Sequence, residues 1–337
     1  MSMRNYIIRR ALLIIPTLIG VTILTFVISH MVPGDPARLM AGLFASEEIV
    51  QSMREKLKLN EPVFVQYIEY LRRIAQGDLG TSILTRRPVL KDLFDFFPAT
   101  FELTMTAMII SIGGGILLGV ISAVKRDSVI DQFTRIISLG GVSVPSFYLG
   151  ILLQLAFFVY LRWIPGSGRI DPFIASPPRI TGLYVLDSLI TRNWPALVSS
   201  IKHLILPATT LALGTLAVVA RTVRSSMLEV SSQDYIKTAK AQGVSENEIN
   251  YRYALRNALI PVVSLSGLMI GALLAGTVYI ETIFSWPGMG RYVVKSIFAL
   301  DFPAIMGFTV LTALIFVTAN LIVDLLYAFI DPRIRLE

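Results

Sequence analysis

The side chains able to do chemistry in this sequence are few and scattered. There are two histidines, His30 and His203, and no cysteine. A cysteine nucleophile, a disulfide framework and a thiolate metal site are therefore excluded. The histidines fall in different loops or span ends, a placement that suits structural hydrogen bonding rather than metal ligation. No H-E-x-x-H or G-x-S-x-G string occurs. No glycine is followed by lysine, so the phosphate-cradling loop that ends in Gly-Lys-Ser/Thr is absent. Two carboxylates, Glu102 and Asp324, lie within apolar stretches. An ionisable group in lipid is a functional candidate by default. Glu102 is near a span end, and Asp324 follows Asn320 by one turn near the end of the last span. Both read as interhelical hydrogen-bond partners. No covalent chemistry emerges, and a membrane-embedded hydrolase is left without a catalytic set.

What remains is a surface made to be touched. Ser231 to Pro261, SSQDYIKTAKAQGVSENEINYRYALRNALIP, is the longest polar interruption in the C-terminal half. It reads as two short helices and a joint. Ser231 with Asp234, and Ser245 with Glu248, are capping-box starts. Gly243 stands between them, where a helix end favours a residue that tolerates positive φ. Ala239 and Ala241 are small enough to admit a close neighbour. In the second helix Ile249 and Tyr253 share one face, with Arg252 and Arg256 one turn apart beside it. Pro261 marks the return to apolar sequence.

The elements around this segment are membrane spans. Of 337 residues, 54% are hydrophobic and 16% charged, where a soluble domain carries about a quarter charged. The net charge of +7 is read as Lys and Arg held at cytoplasmic span ends. No basic-aromatic module for nucleic acid is present. The expectation is an all-α, polytopic protein with six transmembrane helices, near Ala11–Ser29, Phe101–Ala123, Ile136–Leu161, Leu204–Ala220, Leu259–Ile280 and Ala304–Ile330. Each is about the length a bilayer demands. Arg4, Arg9 and Arg10 precede the first, and no A-x-A-like cleavage site follows it. Basic residues at 125–135, 221–256, Arg333 and Arg335 argue for both termini inside. Arg162, Arg169, Arg179, Arg192 and Lys202 run against that rule, which weighs long loops less. Gly113-Gly114-Gly115, Gly119, Gly267 and Gly271 are read as close packing sites rather than hinges.

Residues 1–31 then form the first span. Residues 32–98 form an external helical segment with helices from Ser46 to about Leu57, from Pro62 to about Ala75, and a short piece Val89–Phe97 ended by Pro98. Residues 99–330 make a five-helix core containing the loop 222–258. Residues 331–337 are a cytoplasmic tail.

The string at Ser231–Pro261 resembles the cytoplasmic coupling loop of ABC-importer permeases. Lys237, Thr238, Tyr253 and Arg256, where the wider family has Glu, Ala, Ile and Pro, match the dipeptide/oligopeptide/nickel subgroup. Further resemblances are Pro33-Gly34-Asp35-Pro36, Gly77–Ser82, Pro98–Leu103, Arg221–Glu229, ETIFSWPGMG at Glu281–Gly290 and Asp331–Arg335. In order, they cover nearly the whole chain and look like the first of two permease subunits. The resemblance implies a type I, MetI-like importer fold in a prokaryotic plasma membrane. The implied function is inward movement of di- or oligopeptides by alternating access. The alternatives are nickel, glutathione or oligosaccharide in the same machine, or, in another class, a stand-alone channel or secondary transporter. The implied partners are a second related permease, two ATP-binding subunits and an extracytoplasmic binding protein, besides membrane lipid. No cofactor is expected in this chain, ATP being held by the partners. Asp234, Tyr235, Ala239, Ala241, Gly243 and Arg252 are the expected ATPase-coupling residues. Glu281, Trp286, Pro287 and Gly288 are expected on the external face, where they would meet the binding protein or the second permease.

Overall fold

The computed structural model describes residues 3–31, 35–42, 45–56 and 58–330, and among them every regular element is helical. The tail 331–337, with its Asp331–Arg335 motif, lies outside the described residues, as do Val32–Gly34, Leu57 and the side chain of Asp324. Among the described residues four helices are long and apolar enough to cross a bilayer, and two bent pairs bring the total to as many as 6.

The chain folds into two compact units. The first comprises residues 3–97 and 291–318. Its first helix, α1 (Met3–Met31), contains the first expected span. Asp35 caps α2 (Pro36–Ala41), and α3 (Glu47–Lys56) follows. Helix α4 (Val63–Ala75) opens after Pro62, whose ring fixes φ without a helical N–H. It lies on α1: the Thr22 and Tyr67 hydroxyls are 3.0 Å apart, and Phe26 meets the rings of Tyr67 and Tyr70. Burial pushes the Tyr70 phenol up to about 12. Asp301 closes the unit, accepting from the Ser82 hydroxyl at 2.5 Å and the Leu84 N–H at 3.0 Å.

The second unit comprises residues 98–290 with 319–330. Helix α5 (Val89–Val124) does not end at Pro98 as expected but runs through it for 36 residues, about 54 Å. After α5 come α6 (Val129–Ser143), α7 (Ser146–Gln154) continuing into a π-helical segment Leu155–Tyr160, and the short α8 (Tyr184–Ile190). Helix α9 (Trp194–Ser231), 38 residues long, is the mast against which α6, α7, α8 and α13 (Ile260–Ile283) pack. Between α9 and α13 lie α10 (Asp234–Ala241), α11 (Glu246–Glu248), a second π-helical segment Ile249–Ala254 and α12 (Leu255–Ala258). Helices α14 (Met289–Phe298) and α15 (Phe302–Ile330) complete the chain.

The third expected span is not straight. It breaks after α6, and α7 with its π-helical extension departs at 109°. Pro145 explains the break, because it bars the preceding residue from helical geometry and Val144 is extended at φ −89°, ψ 125°. Gly114, Gly115, Gly119 and Gly267 behave as packing sites, whereas Gly113 has open space where a Cβ would be. A Cβ on Gly115 would stand 2.6 Å from Val219, and one on Gly119 2.7 Å from the Ala220 carbonyl. Gly114 meets Leu216, and Gly267 meets Val323 and Asn320. Without a hydrophobic drive inside lipid, such close backbone approach is what holds helices together.

Candidate functional site

Helix α10 is tethered on one face and bare on the other. Ile236 and Ala239 are buried in a cluster with Val219, Val223, Met227 and Ile249. Ala239 therefore packs against this chain's own helices, not against an incoming surface. Asp234 and Ala241 are exposed, and Tyr235 is 43% exposed with its hydroxyl accepting from Asn257 Nδ2 at 2.8 Å. The N-terminal cap differs from expectation. Ser231 is the last residue of α9 and donates back to the Met227 carbonyl, while Gln233 occupies the cap of α10 with no side-chain bond.

The joint is a Schellman motif. Gly243 N–H donates to the Lys240 carbonyl at 3.0 Å and Val244 N–H to the Ala239 carbonyl at 3.1 Å. Gly243 has φ +79° and open space where a Cβ would be. Glycine is there for the backbone, not for contact. Ser245 then caps the next turn by accepting from Glu248 N–H at 3.3 Å. Beyond it the helix widens. Ile249 and Ala254, five positions apart, are both buried, the spacing that an i→i+5 turn produces. Tyr253, expected on the face of Ile249, is instead exposed. Arg252 is exposed and pairs with Glu248 at 2.9 Å.

The other signature, Glu281–Gly290, is interior. Trp286 is fully buried and donates from Nε1 to the Ala99 carbonyl at 2.8 Å. Glu281 is likewise buried and accepts from Thr100 Oγ1 at 2.6 Å, and that hydroxyl accepts from Met289 N–H at 2.8 Å. A Cβ on Gly288 would lie 2.3 Å from the Glu281 carboxylate. The expectation that Glu281, Trp286 and Gly288 present a contact face is thus corrected, and Pro287 is only partly exposed. They serve as a packed joint onto α5. Aromatic composition at a span end pointed to an interface, but it is equally the composition of a buried corner. Beside it, Glu102 accepts from Arg169 Nε at 3.0 Å and Nη2 at 2.6 Å and from Val185 N–H at 2.8 Å. Arg169 also lies over the Tyr184 ring at 3.9 Å. Glu102 is the hydrogen-bond partner its position implied, and Arg169 is a neutralised interior cation rather than an exception to the charge rule.

The histidines are structural in their contacts. His30 bonds to the Phe26 carbonyl and Gln66, and buried His203 donates from Nδ1 to the Ser199 carbonyl at 2.8 Å. Among the described residues no cluster of three or more His, Asp or Glu side chains could hold a metal ion.

Comparison with known proteins decides the family. The model described as "Binding-protein-dependent transport system inner membrane component" matches residues 115–336, and its N-terminal companion matches 3–104. The probable D,D-dipeptide transport system permease DdpB of Escherichia coli K12 is 50% identical over 315 residues, covering 94% of this chain and 93% of the relative. The dipeptide permease DppB of Alkalihalophilus pseudofirmus is 47% identical, covering 99% of this chain and 100% of the relative. The glutathione permease GsiC of Escherichia coli O6:H1 is 40% identical, with 99% of each covered. This chain belongs to the binding-protein-dependent inner membrane permeases. It is a multi-pass plasma-membrane subunit of an ABC importer.

One feature of this permease escaped sequence reasoning. Asp131, fully buried in the first turn of α6, gathers three elements. It accepts from Arg224 Nε at 2.8 Å and Nη2 at 2.9 Å, from Arg135 at 2.9 Å, from Asp127 N–H at 3.0 Å and from the Ser122 hydroxyl. Arg224 lies in α9, within the Arg221–Glu229 motif and shortly before the coupling helix. Motif reading marked Arg224 but not its partner. Asp131 itself falls in the basic stretch 125–135, where nothing in the sequence singles it out.

Proposed function

We propose that this permease forms one part of an inward path for di- and oligopeptides, by alternating access driven from outside the chain. The observation that carries the reading is the 42–50% identity, over nearly the full length, to relatives whose names specify dipeptide transport. The glutathione permease, also similar throughout, carries a small peptide as well. The proposed partners are a second related permease, two ATP-binding subunits and an extracytoplasmic binding protein. With no Gly-Lys pair for a phosphate loop, this chain leaves ATP to those subunits. Asp234, Tyr235, Ala241, Gly243 and Arg252 are the exposed residues that would meet an ATPase, while Ile236 and Ala239 would transmit its push into α9 and α13. The closed knot at Glu281–Gly290 and Glu102–Arg169 would keep the outer end of the core rigid as the helices re-orient.

The test is uptake by proteoliposomes containing the complete assembly with its binding protein. Labelled L,L- and D,D-dipeptides should enter only when ATP is present on the coupling-loop side. ATP-independent flux through this chain alone would establish a channel or secondary transporter instead.

A further inference from the structure

At the end of α9 opposite the coupling loop, a cleft of about 790 Å³ opens between three elements of the second unit. The π-helical segment contributes Phe158 and Val159, the following turn Arg162 to Pro165, and the first turns of α9 Val198, Ser199, Lys202 and His203. We propose that this cleft binds the headgroup of an anionic phospholipid from the leaflet opposite the coupling loop, with its phosphate on Arg162 and Lys202.

The cleft is lined by two cations, Arg162 and Lys202, together with apolar residues. Arg162 and Lys202 are both exposed, and neither has an ion-pair partner among the described residues. The single carboxylate lining the cleft, on Asp171, already accepts from the Phe173 N–H at 2.9 Å. An arginine fork and an ammonium lining one cleft suit phosphate oxygens. The ring of His203 adds a fixed polar wall, because its Nδ1 donates to the Ser199 carbonyl. Arg162 holds a left-handed conformation, φ +54°.

The apolar part selects a lipid over a free anion. Phe158, Val159 and Val198 are exposed, so the wall of the cleft continues onto an apolar surface that an acyl chain could follow. Trp163 lines the cleft and is 68% exposed, and Tyr160 and Trp194, each next in sequence to a lining residue, are 75% and 59% exposed. Aromatic residues accumulate where headgroups meet hydrocarbon. The volume is far beyond that of inorganic phosphate and within the usual range of small-molecule sites.

Native mass spectrometry of the detergent-purified complete transporter, titrated with phosphatidylglycerol, tests this. The wild type should retain the lipid, and R162Q/K202Q should bind it roughly thirtyfold more weakly, since each basic residue near a bilayer adds about a factor of five. Arg126→Gln, on the α5–α6 turn, should leave retention unchanged. Because Arg162 and Lys202 are exposed, their replacement leaves the packed core intact, and weaker retention reports the site. Equal retention by R162Q/K202Q would overturn the proposal. So would displacement of the lipid by an equal concentration of inorganic phosphate. Loss of binding-protein docking in R162Q/K202Q with lipid retention intact would assign the cleft to a protein instead.

Discussion

Gly243 is the residue at which shape and role separate most cleanly. Its φ of +79° and the empty space around it mean that a side chain there is penalised by backbone geometry alone. Gly243→Val should therefore uncouple ATP hydrolysis from peptide uptake, while Gly243→Asn, which tolerates the left-handed region, should keep both. Parallel measurement of ATPase rate and uptake in proteoliposomes checks this, and uptake intact in the valine variant would defeat the lever assignment. Asp187 offers a different kind of test. Burial pushes its carboxyl up, but the Thr181 hydroxyl and the N–H groups of Thr181, Gly182 and Ile180 outweigh that and hold it below its ordinary 3.8. A depressed carboxyl contributes stability above its unfolded pKa and loses it as pH falls through the folded value. Asp187→Asn should cost roughly 1–3 kcal/mol at neutral pH, and the gap from wild type should close in acid below 3.8. Thermal unfolding across pH reads this directly.

At the scale of elements, α9 and α6 are joined by one buried carboxylate. Removing the charge at Asp131 leaves the partly exposed Arg224 without its carboxylate, which costs less than the about 3–5 kcal/mol of a fully buried pair. Asp131→Asn should lower the unfolding temperature of the transporter markedly. D131L/R224M should recover part of the loss, because Arg224 is then no longer stranded, while the more exposed Arg135 still loses its partner. A double-mutant cycle with no interaction energy would show that the contact contributes nothing. The elements were mostly legible in sequence, and the exceptions are instructive. Apolar length found the spans, Pro62 the start of α4, and Ser245 the cap of α11. Pro98 misled, because a proline can be carried inside a long, otherwise supported helix, whereas Pro145 did break one. Ile249 and Tyr253 misled because spacing was counted at the α-helical period where the chain is π-helical. The Glu102–Arg169 and Asp131–Arg224 pairs were invisible because their partners come from distant stretches of sequence.

For the whole molecule, the reading requires the α1–α4 side and the coupling loop to lie on opposite faces of the membrane. The chain has no cysteine, so introduced ones report without background. Phe64→Cys, at an exposed position of α4, should react with an impermeant thiol reagent applied outside intact cells, and Gln242→Cys should react only after permeabilisation. The reverse pattern would invert the topology and remove the basis of the coupling loop. Gly288 is unsuitable as a reporter, since any side chain there strikes Glu281. Whole-chain architecture was the most legible scale, because the bilayer imposes length and polarity on every span. The site was less so. Gly243 and its exposed neighbours were read correctly as surface, but the Glu281–Gly290 joint was mistaken for one.

The wide turn at Ile249–Ala254 has a genetic consequence. An i→i+5 turn holds one residue more than the helix on either side needs. Each residue advances an α-helix by about 100°, so loss of one codon from an ordinary α-helical turn swings its flank by about that angle. Loss of a single codon within Ile249–Ala254, such as that for Asn250, would instead let the wide turn close to α-helical geometry with Ser245–Glu248 and α12 kept in register. Deletion scanning across this loop should therefore find the permease more forgiving of a one-residue loss in Ile249–Ala254 than of one in α10.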